Sequence, residues 1–198
     1  MLDIIIAVAV ATIVVYVLVT VYKNVRTAAK EQKTYEYYKY NAIKQIMAQV
    51  HGEPEFQLSV HAHNEFFIEP YKIENLEMVL QEVLEHCGYR GRIPTVRYTL
   101  LGNENSKHTL NDNRYFLTIG TDKHPTADVI LALLIHECMH VYLYDNRIKF
   151  VGISEECATY MLAIHLGFYQ QIMKGIPQIG HLKKNEVEEL YKIFSLNQ

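Results

Sequence analysis

The feature that most limits what this chain can become is the run Val129 to Ile135, seven consecutive apolar residues leading directly into His136-Glu137-Cys138-Met139-His140-Val141. Seven residues are too few to cross a membrane, and a helix apolar on all sides is a buried one. Pro125 and Thr126 mark its start, Thr126 as N-cap, with Asp128 near the positive end of the helix dipole. Two histidines four residues apart on a helix lie about 40° apart around the axis and roughly 6 Å apart along it, so His136 and His140 can reach one metal ion. Glu137 points about 100° round from His136, too far for a comfortable ligand but well placed to reach a metal-bound water as general base. Cys138 falls about 200° round and is read, like Cys157, as a small buried hydrophobe.

A zinc ion with three protein ligands and one open position is a Lewis acid that lowers the pKa of its water to about 7, so a third ligand is required. Downstream, Gly152-Ile153-Ser154-Glu155-Glu156-Cys157-Ala158-Thr159-Tyr160 supplies two carboxylates at the expected start of the next helix. The residues between Asp145 and Ile153 suffice to turn the chain and bring that helix back across the first.

These residues resemble the gluzincin metallopeptidases, in which an H-E-x-x-H helix is followed by a helix whose glutamate completes the zinc site. The likeness covers about residues 125 to 168 and extends to the compact H-E-x-x-H domains of the SprT-like and ImmA-like kind. Setting Ala158 and Tyr160 on the family pattern makes Glu155 the third ligand and Glu156 the flanking alternative. Ser154 stands where asparagine is common, and Thr159 where many members carry an acidic residue that orients a ligand histidine. The resemblance implies zinc as cofactor, peptide or protein as substrate, and an α+β zincin-like domain. That domain would pack a small, mainly antiparallel sheet on the H-E-x-x-H helix, with an edge strand able to pair with an extended peptide and a helical part after it. It also implies a distal histidine or tyrosine at the oxyanion, for which Tyr169, His181 and Tyr191 are candidates. H-E-x-x-H also arises by chance, and buried histidines can be hydrogen-bonded core residues. A chance match is not expected to combine an apolar helix, a capping Thr126 and a following carboxylate pair.

Residues 4 to 22 carry no charge over 19 positions. As a helix they span about 28 Å, close to the thickness of a bilayer's hydrocarbon core. Asp3 precedes this segment, while Lys23, Arg26, Lys30 and Lys33 follow it, which places the N-terminus outside and the rest in the cytoplasm. The expected organisation is a single-pass anchor at 3–23, a polar Tyr-rich juxtamembrane helix or linker at 24–52, and a metallopeptidase domain at 53–198. With 19 basic and 22 acidic residues the net charge is -3, and no basic surplus points to nucleic acid. Cys87, Cys138 and Cys157 are odd in number and widely spaced, which fits a reducing compartment.

Elsewhere, Glu55–His61 and Glu65–Ile68 read as strands joined by a turn, with His61 and His63 as surface or turn histidines. Apolar residues at helical period predict a helix over Ile73–Cys87, closed by Gly88. Ile93–Leu101 and Arg114–Gly120 read as strands around a polar loop, 102–113. Beyond the carboxylate helix, Ser154–Phe168, with His165 structural, come a turn-rich loop over 169–182 and a final helix over Lys183–Phe194.

Three functions are compatible with this sequence: a membrane-anchored zinc peptidase, a membrane-tethered zincin-fold binding module without catalysis, and a purely structural membrane protein. Intact His136, Glu137, His140 and Glu155 favour the first. A reporter fused after Gln198 is expected to be active only in the cytoplasm, and activity confined to the outside would overturn the orientation.

Overall fold

The apolar run folds into a helix, Ala127–Asp145, in which every residue from Val129 to Val141 is buried. A computed structural model of the chain describes residues 41–101, 105–112, 114–120, 124–149, 155–179 and 182–195. The anchor expected at 3–23 and His181 lie outside the described residues. Contacts divide the chain into two units, Met1–Asn41 and Ala42–Gln198, and the architecture below is that of the second. It starts ahead of the boundary expected at residue 53, because Ile43, Ile46 and Val50 are buried in its core.

In chain order the elements are α1 (residues 42–49), α2 (Val60–Ile68), α3 (Ile73–His86), β1 (Thr95–Thr99), β2 (Ser106–Asn111), β3 (Arg114–Gly120), α4 (Ala127–Asp145), α5 (Glu155–His165), α6 (Tyr169–Ile179) and α7 (Lys184–Ser195). The class is α+β. Helix α4 is the central element, packed against the sheet and against α3, α5 and α6. Among the described residues it is the one helix long and apolar enough to cross a membrane, but its burial makes it the core helix of this unit.

The sheet is mixed, not mainly antiparallel. Its order is β1-β3-β2, with β1 parallel to β3 from Thr95↔Phe116 to Thr99↔Gly120, and β2 antiparallel to β3 from Ser106↔Ile119 to Asn111↔Arg114. The reason is polarity: β3, with Tyr115, Leu117, Thr118 and Ile119 buried, takes the centre, and the polar β2 takes an edge. β2 occupies part of the segment expected to be loop. It is joined to β3 by a tight hairpin in which Asp112 adopts φ 48°, a conformation that aspartate tolerates and hairpin turns require.

Two further expectations fail. The strands expected at 55–61 and 65–68 are replaced by α2, whose N-cap Ser59 accepts from the Ala62 amide at 3.2 Å. Ala62 and Phe66, four apart, bury on one face, so His61 and His63 point to different sides, and His63 stacks on Phe67. The loop expected over 169–182 is largely α6, which runs through Gly175 and Pro177. Ile172 and Ile176 bury at helical spacing, and that packing outweighs local propensity. Thr126 is the N-cap of α4 with extended backbone, yet its side chain makes no capping bond.

Helices α3, α4 and α5 end alike. In each the amide two beyond the cap bonds a carbonyl five residues back: Tyr89 to Leu84, Ile148 to Leu143 and Phe168 to Ala163. The residue before each of these amides has positive φ: Gly88 at 63°, Arg147 at 54° and Gly167 at 84°. At Gly167 a β-carbon would also lie 2.0 Å from the Pro54 carbonyl oxygen. Arginine at 147 carries a steric cost that glycine lacks. Thermal or denaturant unfolding should therefore show Arg147→Gly stabilised by about 1 kcal/mol, and Gly167→Ala destabilised by more than that. A stabilising Gly167→Ala would contradict this account of the helix ends.

Candidate metal centre

Carrying His136, Glu137 and His140 into the core obliges each to find a polar partner, because isolated buried polar groups are costly. All three are 4 % exposed. Within α4 the two imidazoles face only each other, so α5 and β2 supply the remaining partners.

From α5, Glu156 Oε2 lies 3.1 Å from His136 Nε2, and Glu156 Oε1 lies 3.6 Å from His140 Nε2. The two Nε2 atoms are themselves 3.2 Å apart. His136, His140 and Glu156 thus bring one ligand atom each within 4.8 Å of one another. The neighbouring Glu155 is placed differently, its Oε1 bonded at 3.0 Å to Nδ1 of His140, the far side of that ring. Both glutamates lie in the first turn of α5, where the helix dipole favours negative charge.

Tautomers follow from these partners. The Thr159 hydroxyl donates to the Glu156 carbonyl at 2.6 Å, so its oxygen is left to accept from His136 Nδ1–H at 3.3 Å. His140 Nδ1–H donates to Glu155. Both Nε2 atoms then present lone pairs towards each other and towards a carboxylate. Such facing acceptors are reconciled by a cation among them or by a proton on one Nε2. Tetrahedral zinc with ligands at 2.0–2.1 Å would set them about 3.3 Å apart, and the distances above bracket that value. The three residues could hold a metal ion. Burial, opposed by the bond to Glu155, lowers the pKa of His140, a direction that favours metal binding.

From β2, Ser106 Oγ donates to Glu137 Oε1 at 2.6 Å and His108 Nδ1 donates to Glu137 Oε2 at 2.9 Å. Burial pushes the Glu137 carboxyl up, but the His108 bond, the nearby His136 and His140 and the Ser106 hydroxyl together outweigh it and hold the group below its ordinary value. The His108 pKa is raised, chiefly by its bond to Glu137. The His108 ring also stacks on His140, centroids 4.4 Å apart.

Neither Ser106 nor His108 was singled out from sequence, because the segment read as loop. The turn-forming pair Asp112-Asn113 directly before the Arg114–Gly120 strand is the signal that could have marked a hairpin. Of the oxyanion candidates, Tyr169 and Tyr191 stack on each other, centroids 3.8 Å apart, beside a separate cavity of about 190 Å³ lined also by Glu53 and Glu55. They do not join the cluster. His165 Nε2–H donates to the Val50 carbonyl, 2.9 Å away, and the ring packs on Phe194. Cys138 is fully buried, which pushes its thiol well up and keeps it protonated; Cys157 is only half-buried. A cavity of about 720 Å³ opens beside Glu155, lined also by Leu143, Tyr144, Arg147 and Lys149.

In comparisons with known proteins, no family model, no curated protein and no solved structure matches this chain.

Metal analysis of the purified chain separates the two glutamates. Wild type should retain about one zinc, Glu156→Ala should lose it, and Glu155→Ala should weaken affinity by about 10- to 100-fold. Loss in Glu155→Ala with retention in Glu156→Ala would reverse the assignment.

Proposed function

We propose that the chain is a membrane-anchored, zinc-dependent metallopeptidase with its catalytic unit at the cytoplasmic face. The observation that carries this reading is the convergence of His136 Nε2, His140 Nε2 and the Glu156 carboxylate at separations suited to one tetrahedral ion. Those three would hold zinc, with Glu156 taking the place that the gluzincin resemblance alone assigns to Glu155. Bound there, zinc supplies Lewis acidity, activating water and polarising a carbonyl.

The chain's own groups do the rest. Glu155 and Thr159 hold the imidazoles in the ligating tautomer, as partners outside the ligand set commonly do. Glu137, kept ionised by its surroundings, is suited to accept the proton of the attacking water and then pass it to the leaving amine. These residues by themselves support metal-assisted hydrolysis of a carbonyl compound, and the gluzincin resemblance narrows that to peptide bonds. The uncharged segment at residues 4–22 supports tethering, which would confine the substrates to proteins or peptides near the bilayer.

Glu137→Gln in the full chain, purified in detergent, should keep its zinc and lose about 10²- to 10⁴-fold in turnover of a peptide-library digest. Undiminished cleavage would remove Glu137 as base. Zinc binding without any cleavage by wild type would leave the non-catalytic binding module as the better account.

A further inference from the structure

A general base works only if its carboxylate is held where the proton will be, and a glutamate's terminal torsion is broad and nearly two-fold. On α4 the residues three and four from Glu137 are Leu133, Leu134 and Val141, which can donate nothing, and His140, whose ring nitrogens face Glu155 and His136. Both donors to the carboxylate come from β2, one per oxygen. Ser106 and His108 are two apart on that strand and so share a face, and their backbones are registered against Ile119 and Leu117 of the buried β3. The His108 ring is further fixed by its stack on His140, interplanar angle 25°.

We infer that His108 is a positioning residue for the reaction, its Nδ1–H orienting the Glu137 carboxylate while Ser106 fixes the other oxygen. The inference rests on the reading of Glu137 as general base. The pair Ser106 and His108 explains why a polar strand is kept at this edge of the sheet: its inward face meets the base, not the core. It also explains how one imidazole serves two ends, since the ring that bonds Glu137 is the one that covers His140. The His108 side chain is 34 % exposed, so the ring is reached by solvent.

The test uses the zinc-loaded full chain and two substitutions. His108→Phe keeps a flat ring to stack on His140 but removes the donor. His108→Asn places an amide nitrogen two bonds from Cβ, where Nδ1 lies in histidine, and so restores the donor. His108→Phe should lower kcat by about 10- to 100-fold with KM and zinc content unchanged, and His108→Asn should recover most of the loss. Wild-type kcat in His108→Phe, or His108→Asn as impaired as His108→Phe, would overturn the inference. A second readout needs no turnover: in the zinc-free chain, ¹⁵N NMR should show His108 protonated at Nδ1 and shifted by Glu137→Gln. A His108 signal indifferent to Glu137→Gln also overturns it. If that coupling is present but zinc-loaded wild type cleaves nothing, the peptidase reading fails first and takes the catalytic consequence of His108 with it.

Discussion

The structure depends on one costly arrangement: two imidazoles and a carboxylate buried on a helix whose remaining surface is apolar. Each of the three is 4 % exposed. Left without partners, such groups would oppose folding by several kcal/mol. The fold answers from two directions. α5 turns its first-turn glutamates and Thr159 onto the histidines, and β2 turns a serine and a histidine onto Glu137. Much of the chain between residues 95 and 165 can be understood as a means of delivering those five side chains to α4.

This division gives the two sides of the cluster different chemistry. On the α5 side two ring nitrogens and a carboxylate converge, a set that could hold a metal ion. On the β2 side everything is arranged to donate protons, which keeps Glu137 ionised despite its burial. The α5 side and the β2 side of the cluster meet at His140, which bonds Glu155, faces His136 and stacks on His108. Burial lowers the pKa of this shared residue, against the opposing bond to Glu155.

Much of this was legible in the sequence, where a single physical cause acts locally. The apolar run made α4 a buried helix, apolar period and Gly88 bounded α3, and the start of α5 lay at the carboxylate pair. The failures share a different cause. β2 is polar because its inward face meets a carboxylate, so no hydrophobic alternation announced it, and Ser106 and His108 were missed with it. α6 contains Gly175 and Pro177, which read as loop until the burial of Ile172 and Ile176 decides otherwise. Glu155 and Glu156 are adjacent and about 100° apart on a helix. Which of them meets the Nε2 atoms depends on how α5 crosses α4, a tertiary quantity that no local pattern encodes.

The most direct test of the central claim is zinc K-edge X-ray absorption on the zinc-loaded chain. Two histidine nitrogens and a glutamate oxygen predict only nitrogen and oxygen neighbours, at about 2.0–2.1 Å in four-coordinate geometry, with the multiple scattering of two imidazoles. A sulfur neighbour at about 2.3 Å would place zinc on Cys138 or Cys157. Either that result or a six-coordinate ion without imidazole scattering would contradict the site described for His136, His140 and Glu156.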